Sequence, residues 1–191
     1  MNQDVAVLAN FSWISKPMAM AASAIIVILF SFNPVKAAIE VGVAFGPFLP
    51  SQLPGVSEVI NGAAARAGMS TGPGIFEFEV YTAHGEAVDY ISLSFDYLFE
   101  IGKDLVPEIP VFVLAGLNRD SYKPSTSDDF RQGGGFHYGA GAKIPLGSAK
   151  SPLQMRFDFK HRFGPGNSLI ALLGLSFEFG NSTATVGAGK P

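Results

Sequence analysis

The segment from Leu153 to Phe163 places the strictest condition on the fold. Leu153, Met155, Phe157 and Phe159 alternate with Gln154, Arg156, Asp158 and Lys160. A helix would spread this period of two around its surface, whereas a β-strand sends successive side chains to opposite faces. One face is then bulky and apolar and the other charged. In Ser168 to Phe179 the apolar set is Leu169, Ala171, Leu173, Leu175, Phe177 and Phe179. From Val88 onward, Ile91, Leu93, Phe95, Tyr97 and Phe99 oppose Ser92, Ser94 and Asp96. Phe76, Phe78 and Val80 oppose Glu77 and Glu79 between Gly74 and Ala83, and Tyr138, Ala140, Ala142 and Ile144 oppose His137, Gly139, Gly141 and Lys143 between Phe136 and Leu146.

Three further segments carry the pattern less sharply. Glu40 to Phe48 alternates Val41, Val43 and Phe45 with smaller or polar residues, and Ile109 to Asn118 is apolar on both faces. Glu58 to Met69 has an alanine-rich middle, Ala63-Ala64-Ala65, that also suits a short helix. A strand is favoured there on topological grounds, because a closed up-and-down barrel with both ends on one side needs an even number of strands. The expected fold is an all-β, antiparallel transmembrane barrel, most simply of eight strands, over residues 38–180.

A soluble barrel with its apolar face turned inward is the competing arrangement. About eight strands enclose little room, and Phe76, Phe78, Phe95, Phe99, Phe157, Phe159, Phe177 and Phe179 would overfill it. The opposite faces carry glycine, serine and charged residues that fit a narrow polar lumen. Aromatics also gather near strand ends, at Tyr97, Phe99, Phe163, Phe177 and Phe179, where a bilayer places its interfacial girdles. Composition agrees: charged residues make up 15% of the chain, against about 25% in soluble domains.

Before the strands, Lys16 precedes an apolar run from Met18 to Phe32, and Asn33-Pro34 breaks it. The run is short for a membrane-spanning helix, which needs about 20 residues, and Val35-Lys36-Ala37 offers small residues for a signal peptidase. Residues 1–37 are therefore expected to be a signal peptide cleaved after Ala37. An uncleaved anchor helix is the alternative, and Asp4 together with the long stretch before Lys16 departs from the usual signal pattern. Residues 181–191 are expected to form a flexible periplasmic tail. The chain has no cysteine, which excludes disulfides, thiolate metal sites and a lipoprotein anchor, and its net charge of -3 gives no basic field for nucleic acid.

Counting back from a last strand that ends in the periplasm, Leu146 to Pro152 is an inner turn. Arg119 to Gly134 and Pro47 to Gly55 are outer connections, in keeping with short inner turns and longer outer loops. Gly133-Gly134-Gly135 is expected to let the long outer loop turn into its strand. In the lumen, Glu77, Glu79, Asp96, Asp158 and Glu178 face Lys143, Arg156, Lys160 and Arg162. Charges this confined are tolerable when paired, so the expectation is a lumen closed by ion pairs.

The last strand also carries a resemblance. Gly174-Leu175-Ser176-Phe177-Glu178-Phe179 resembles the C-terminal assembly signal of outer-membrane barrels, with a glycine followed by two aromatics at set spacing. The usual polar residue two before the glycine is Leu172 here, and a tail follows the final aromatic. From Ile39 to Phe179 the arrangement is similar to small eight-stranded outer-membrane barrels of the OmpA membrane-domain and OmpX type. That resemblance implies insertion by the barrel assembly machinery and contact with outer-membrane lipid and lipopolysaccharide. It implies a role as adhesin, tether, small pore or enzyme, with no surface partner specified. The tether role of full-length OmpA is not expected, since no peptidoglycan-binding domain follows the strands.

For catalysis the comparison is with the lipid A deacylases, barrels with a His-x-Ser motif late in the chain that supplies base and nucleophile. Here Lys160-His161-Arg162-Phe163 has the histidine, but Phe163 stands where the serine would be, and Ser168 lies too far along. His161 falls on the apolar face. His84 and His137 are scattered, and Asp120 with Asp128-Asp129 reads as a solvated acidic loop rather than a cation site. No catalytic, cofactor-binding or metal-ligating residue is assigned. The expected function is non-enzymatic, structural or surface-interacting through the outer loops, with a narrow pore as the alternative.

Overall fold

The computed structural model describes residues 38–51, 59–70, 74–86, 88–101, 109–124, 129–148, 151–164 and 167–180. The expected signal peptide and the tail after residue 180 lie outside them. Eight strands follow one another: β1 (Ile39–Pro50), β2 (Ile60–Ser70), β3 (Gly74–His84), β4 (Val88–Ile101), β5 (Val111–Pro124), β6 (Arg131–Pro145), β7 (Leu153–Phe163) and β8 (Ser168–Phe179). Each pairs antiparallel with its neighbour, and β1 closes on β8, giving a barrel in sequence order. Closure removes both free edges, so every strand finds its backbone partners within the wall.

The alternation in the sequence sets the register. Phe78 lies opposite Phe95, Phe95 opposite Leu117, and Phe159 opposite both Ala140 and Ala171, so the large apolar side chains share the outer surface. Phe45, Phe95, Leu117, Phe157, Leu173 and Leu175 are all exposed there. Such a continuous apolar belt would be an aggregation surface in water and matches lipid. At the rim carrying both chain ends, the outward aromatics are Phe76, Tyr97, Phe99, Phe177 and Phe179; towards the other rim they are Phe136, Tyr138 and Phe163.

The alanine-rich segment is a strand, β2, as the parity of the barrel requires. Its residues Ala63, Ala65 and Ala67 face outward, while Arg66 faces in and is buried.

Three expectations about connections are corrected. Arg119 to Gly134 is not a loop: β5 runs to Pro124 and β6 begins at Arg131. Asn118, Arg119 and Asp120 pair with Gly135, Gly134 and Gly133, so the triple glycine is part of the wall rather than a hinge. The backbone explains the glycine at position 135, where a Cβ would stand 1.8 Å from the Phe163 carbonyl oxygen. The expected contrast in loop length also fails, because residues 102–110, at the rim of the chain ends, match residues 51–59 at the opposite rim.

Candidate functional site

The barrel interior is the most elaborated part of the molecule. Two apolar packings sit towards its ends. Near the rim opposite the chain ends, Phe48, Ile60, Tyr81, Tyr90, Tyr122, Ile170 and Leu172 fill the lumen, with the Phe48 and Tyr90 rings 4.5 Å apart. Nearer the chain ends, Ile75, Leu98, Phe112 and Leu114 pack together on the β3–β5 side. These inward residues interrupt the polar face of their strands, which is why alternation does not reveal an apolar set at the ends of the lumen.

Between them runs a connected set of charges, every member fully or almost fully buried. Arg156 on β7 grips Glu77 on β3 with both terminal nitrogens, donating from Nη2 to Oε1 at 2.9 Å. Its Nε donates to Asp158 at 2.9 Å, and its Nη1 to Glu40 at 3.3 Å. Lys143 pairs with Glu40, and Arg66 with Asp158. Arg66 also approaches Glu79 at 3.6 Å. Lys160 bridges Glu79 at 2.9 Å and Asp96 at 2.7 Å.

Asp96 continues to His137 Nε2, and His137 Nδ1 faces the Asn118 carbonyl oxygen of the side-chain amide at 3.2 Å. The Asn118 amide donates to Asp120 at 2.8 Å, and Ser92 donates to the other Asp120 oxygen at 2.7 Å. Arg162 completes the set, with Tyr90 at 3.1 Å, Glu79 at 3.4 Å and Asp120 at 3.5 Å. Two guanidinium groups also lie over rings, Arg156 over Phe112 at 4.9 Å and Arg162 over Tyr81 at 5.8 Å.

The structure therefore joins Glu77, Glu79, Asp96, Asp158, Lys143, Arg156, Lys160 and Arg162, the charges that alternation places inward. Glu178 differs: it is half-buried at the rim of the chain ends. Sequence reasoning missed Glu40, Arg66, Asn118 and Asp120. Asp120 is not in a surface loop at all, because β5 continues through it and turns it into the lumen.

The remaining candidates stay apart. His161 faces outward, with Nδ1 3.3 Å from the Tyr138 hydroxyl, and its ring lies 4.3 Å from that of Phe163. Ser168 is buried on the inner face, so the barrel wall separates these two side chains. His84 pairs with Asp89 at the far rim. Among the described residues no three histidine, aspartate or glutamate side chains converge as metal ligands would.

Solved structures share this architecture. The N-terminal β-barrel domain of Pseudomonas aeruginosa OprF aligns with a TM-score of 0.59 at 19% identity, over 75% of this chain and 98% of that domain. The fold is that of a small outer-membrane barrel. Neisserial surface protein A aligns with a TM-score of 0.57 at 13% identity, over 75% of this chain and 97% of the other. A major outer-membrane protein from Thermus thermophilus gives 0.53 at 14% identity, over 75% and 100%. No protein-family model and no curated sequence matches. As an outer-membrane barrel by fold, the chain crosses a bilayer with strands, and the outward phenylalanines and leucines form its lipid-facing belt.

Proposed function

We propose that this protein is a resident of the bacterial outer membrane with a closed lumen, non-enzymatic, which acts through its outer rim. The observation that carries this reading is the lumen itself. Arg156, Lys160, Arg162, Glu79, Asp96 and Asp158 are each no more than 1% exposed and are bound to one another between the two apolar packings. A conducting channel keeps its charges hydrated, whereas this arrangement spends them on mutual pairing. Residues 51–59, 85–87, 125–130 and 164–167 connect strands at the rim opposite the chain ends, and they offer the contact surface for other molecules.

In this reading residues 1–37 direct export and are removed, the last strand engages the barrel assembly machinery, and residues 181–191 hang in the periplasm. Both chain ends then lie on the periplasmic side, so β1 to β8 present the opposite rim to the outer leaflet and its lipopolysaccharide. Two experiments test it. Outer-membrane fractions should contain a band whose gel mobility shifts on boiling, as a closed barrel demands. In planar bilayers the purified protein should give no large, stable channels; if such channels appear, the closed-lumen reading is wrong.

A further inference from the structure

Around the outer wall, one guanidinium lies beside the apolar belt. Arg119 projects outward from β5, level with Leu93 on β4 and Gly134 on β6. Its Nη2 donates to Gln132 Oε1 at 3.0 Å, which holds the guanidinium on the wall. The outward carboxylate on β4, Asp89, is level with Lys123, nearer the rim.

Beside Arg119 the surface is notched. Gly134 is exposed, and a Cβ there would meet only the Asn118 carbonyl oxygen, at 3.7 Å. On the side of the notch towards the bilayer centre lie Leu117, Phe136 and Phe163, with the last two rings stacked 4.7 Å apart. Towards the rim lie the hydrogen-bonding side chains of Gln132 and Ser121, opposite one another across β5 and β6. The order from rim to belt is thus polar groups, guanidinium, then a broad apolar face.

A guanidinium beside hydrocarbon favours an anionic partner, and its planar fork matches the oxygens of a phosphate. We propose that this notch binds lipid A, the phosphorylated glycolipid of the outer leaflet. Arg119 takes a phosphate, Gln132 and Ser121 take sugar hydroxyls, and Leu117, Phe136 and Phe163 lie along the acyl chains. The proposal rests on the outer-membrane reading above, which sets this rim in the outer leaflet.

The test is native mass spectrometry of the detergent-solubilised protein, titrated separately with diphosphoryl lipid A, dephosphorylated lipid A and phosphatidylglycerol. The wild type should retain diphosphoryl lipid A about tenfold more tightly than dephosphorylated lipid A, as expected for loss of a charged hydrogen bond, and more tightly than phosphatidylglycerol, whose phosphate comes without the sugar hydroxyls that Gln132 and Ser121 take. Arg119→Gln should abolish that preference, Arg119→Lys should keep part of it, and Gly134→Leu should weaken retention by filling the notch. Each variant is checked for heat-modifiable mobility, and Gly134→Leu leaves the charge in place if Arg119→Gln does not fold. Undiminished preference in folded Arg119→Gln or Gly134→Leu overturns the proposal, as does equal retention of phosphatidylglycerol by the wild type. Failure of the outer-membrane reading would show separately, as absence of the wild-type protein from the outer-membrane fraction.

Discussion

Arg156 and Glu77 meet as fork and fork across the lumen, β7 to β3, with both terminal nitrogens of the arginine on the two carboxylate oxygens. The pair is sealed from solvent, so neither charge can recover its hydration if the other is removed. Glu77→Ala should therefore destabilise the barrel by about 3–5 kcal/mol, the usual cost of stranding one member of a buried pair. Replacing both by apolar residues of similar volume, Arg156→Met with Glu77→Leu, should cost less than the two single changes added together. Urea unfolding in lipid vesicles measures Glu77→Ala, the two single changes and the double variant. The coupling is blunted to the extent that Asp158 and Glu40, which also hold Arg156, keep its charge paired.

The rings at the far end of the lumen make a separate prediction. Phe48, Tyr81 and Tyr90 pack together there, and Tyr90 also accepts a hydrogen bond from Arg162. Phe48→Ala with Tyr90→Ala removes the apolar cover from the charge network. In planar bilayers this variant should show more frequent small current steps than the wild type. A silent trace from the folded double variant would mean that the charge network alone keeps the lumen shut.

The outer surface is tested by depth. Phe159 lies opposite Ala140 and Ala171 in the body of the wall, whereas Phe179 ends β8 at the rim. Arginine at position 159 should cost about 2–4 kcal/mol, and at position 179 about 0–1 kcal/mol, following the depth dependence for cations on the lipid face of barrels. Equal costs at the two sites, read by vesicle unfolding, would contradict an apolar belt buried in lipid.

Legibility from sequence followed contrast. Where large apolar residues alternate with charges, as from Leu153 to Phe163, strand bounds and facing were readable residue by residue. β2 lacks that contrast: alanine lies on both faces around Arg66, so the inward arginine that pairs with Asp158 gave no signal. β5 shows a different limit. Its outward apolar series ends at Leu117, and Arg119 then faces out, so the pattern suggests a loop just where the strand passes the edge of the belt. What holds this upper part of the strand is the inward Asp120, bound to Asn118 on the same strand, to Ser92 on neighbouring β4 and to Arg162 across the lumen on β7. Partnership across a lumen depends on closure and shear, and local alternation carries neither.

Adjacent glycines in β6 separate backbone demand from lipid binding. A Cβ at position 135 would stand 1.8 Å from the Phe163 carbonyl oxygen, closer than any real contact, whereas at position 134 it would meet one atom at 3.7 Å. Both residues are in the strand and neither has a positive φ, so the difference lies in how near β7 passes and not in the torsion angles. Gly135→Val should therefore force β6 and β7 apart at Phe136–Phe163 and reduce the heat-modifiable fraction strongly on refolding. Gly134→Val should fold like the wild type, since a β-branched residue suits an exposed strand position. If Gly135→Val folded normally, the close approach of these two strands would not be a feature of the barrel, and the triple glycine would need another explanation.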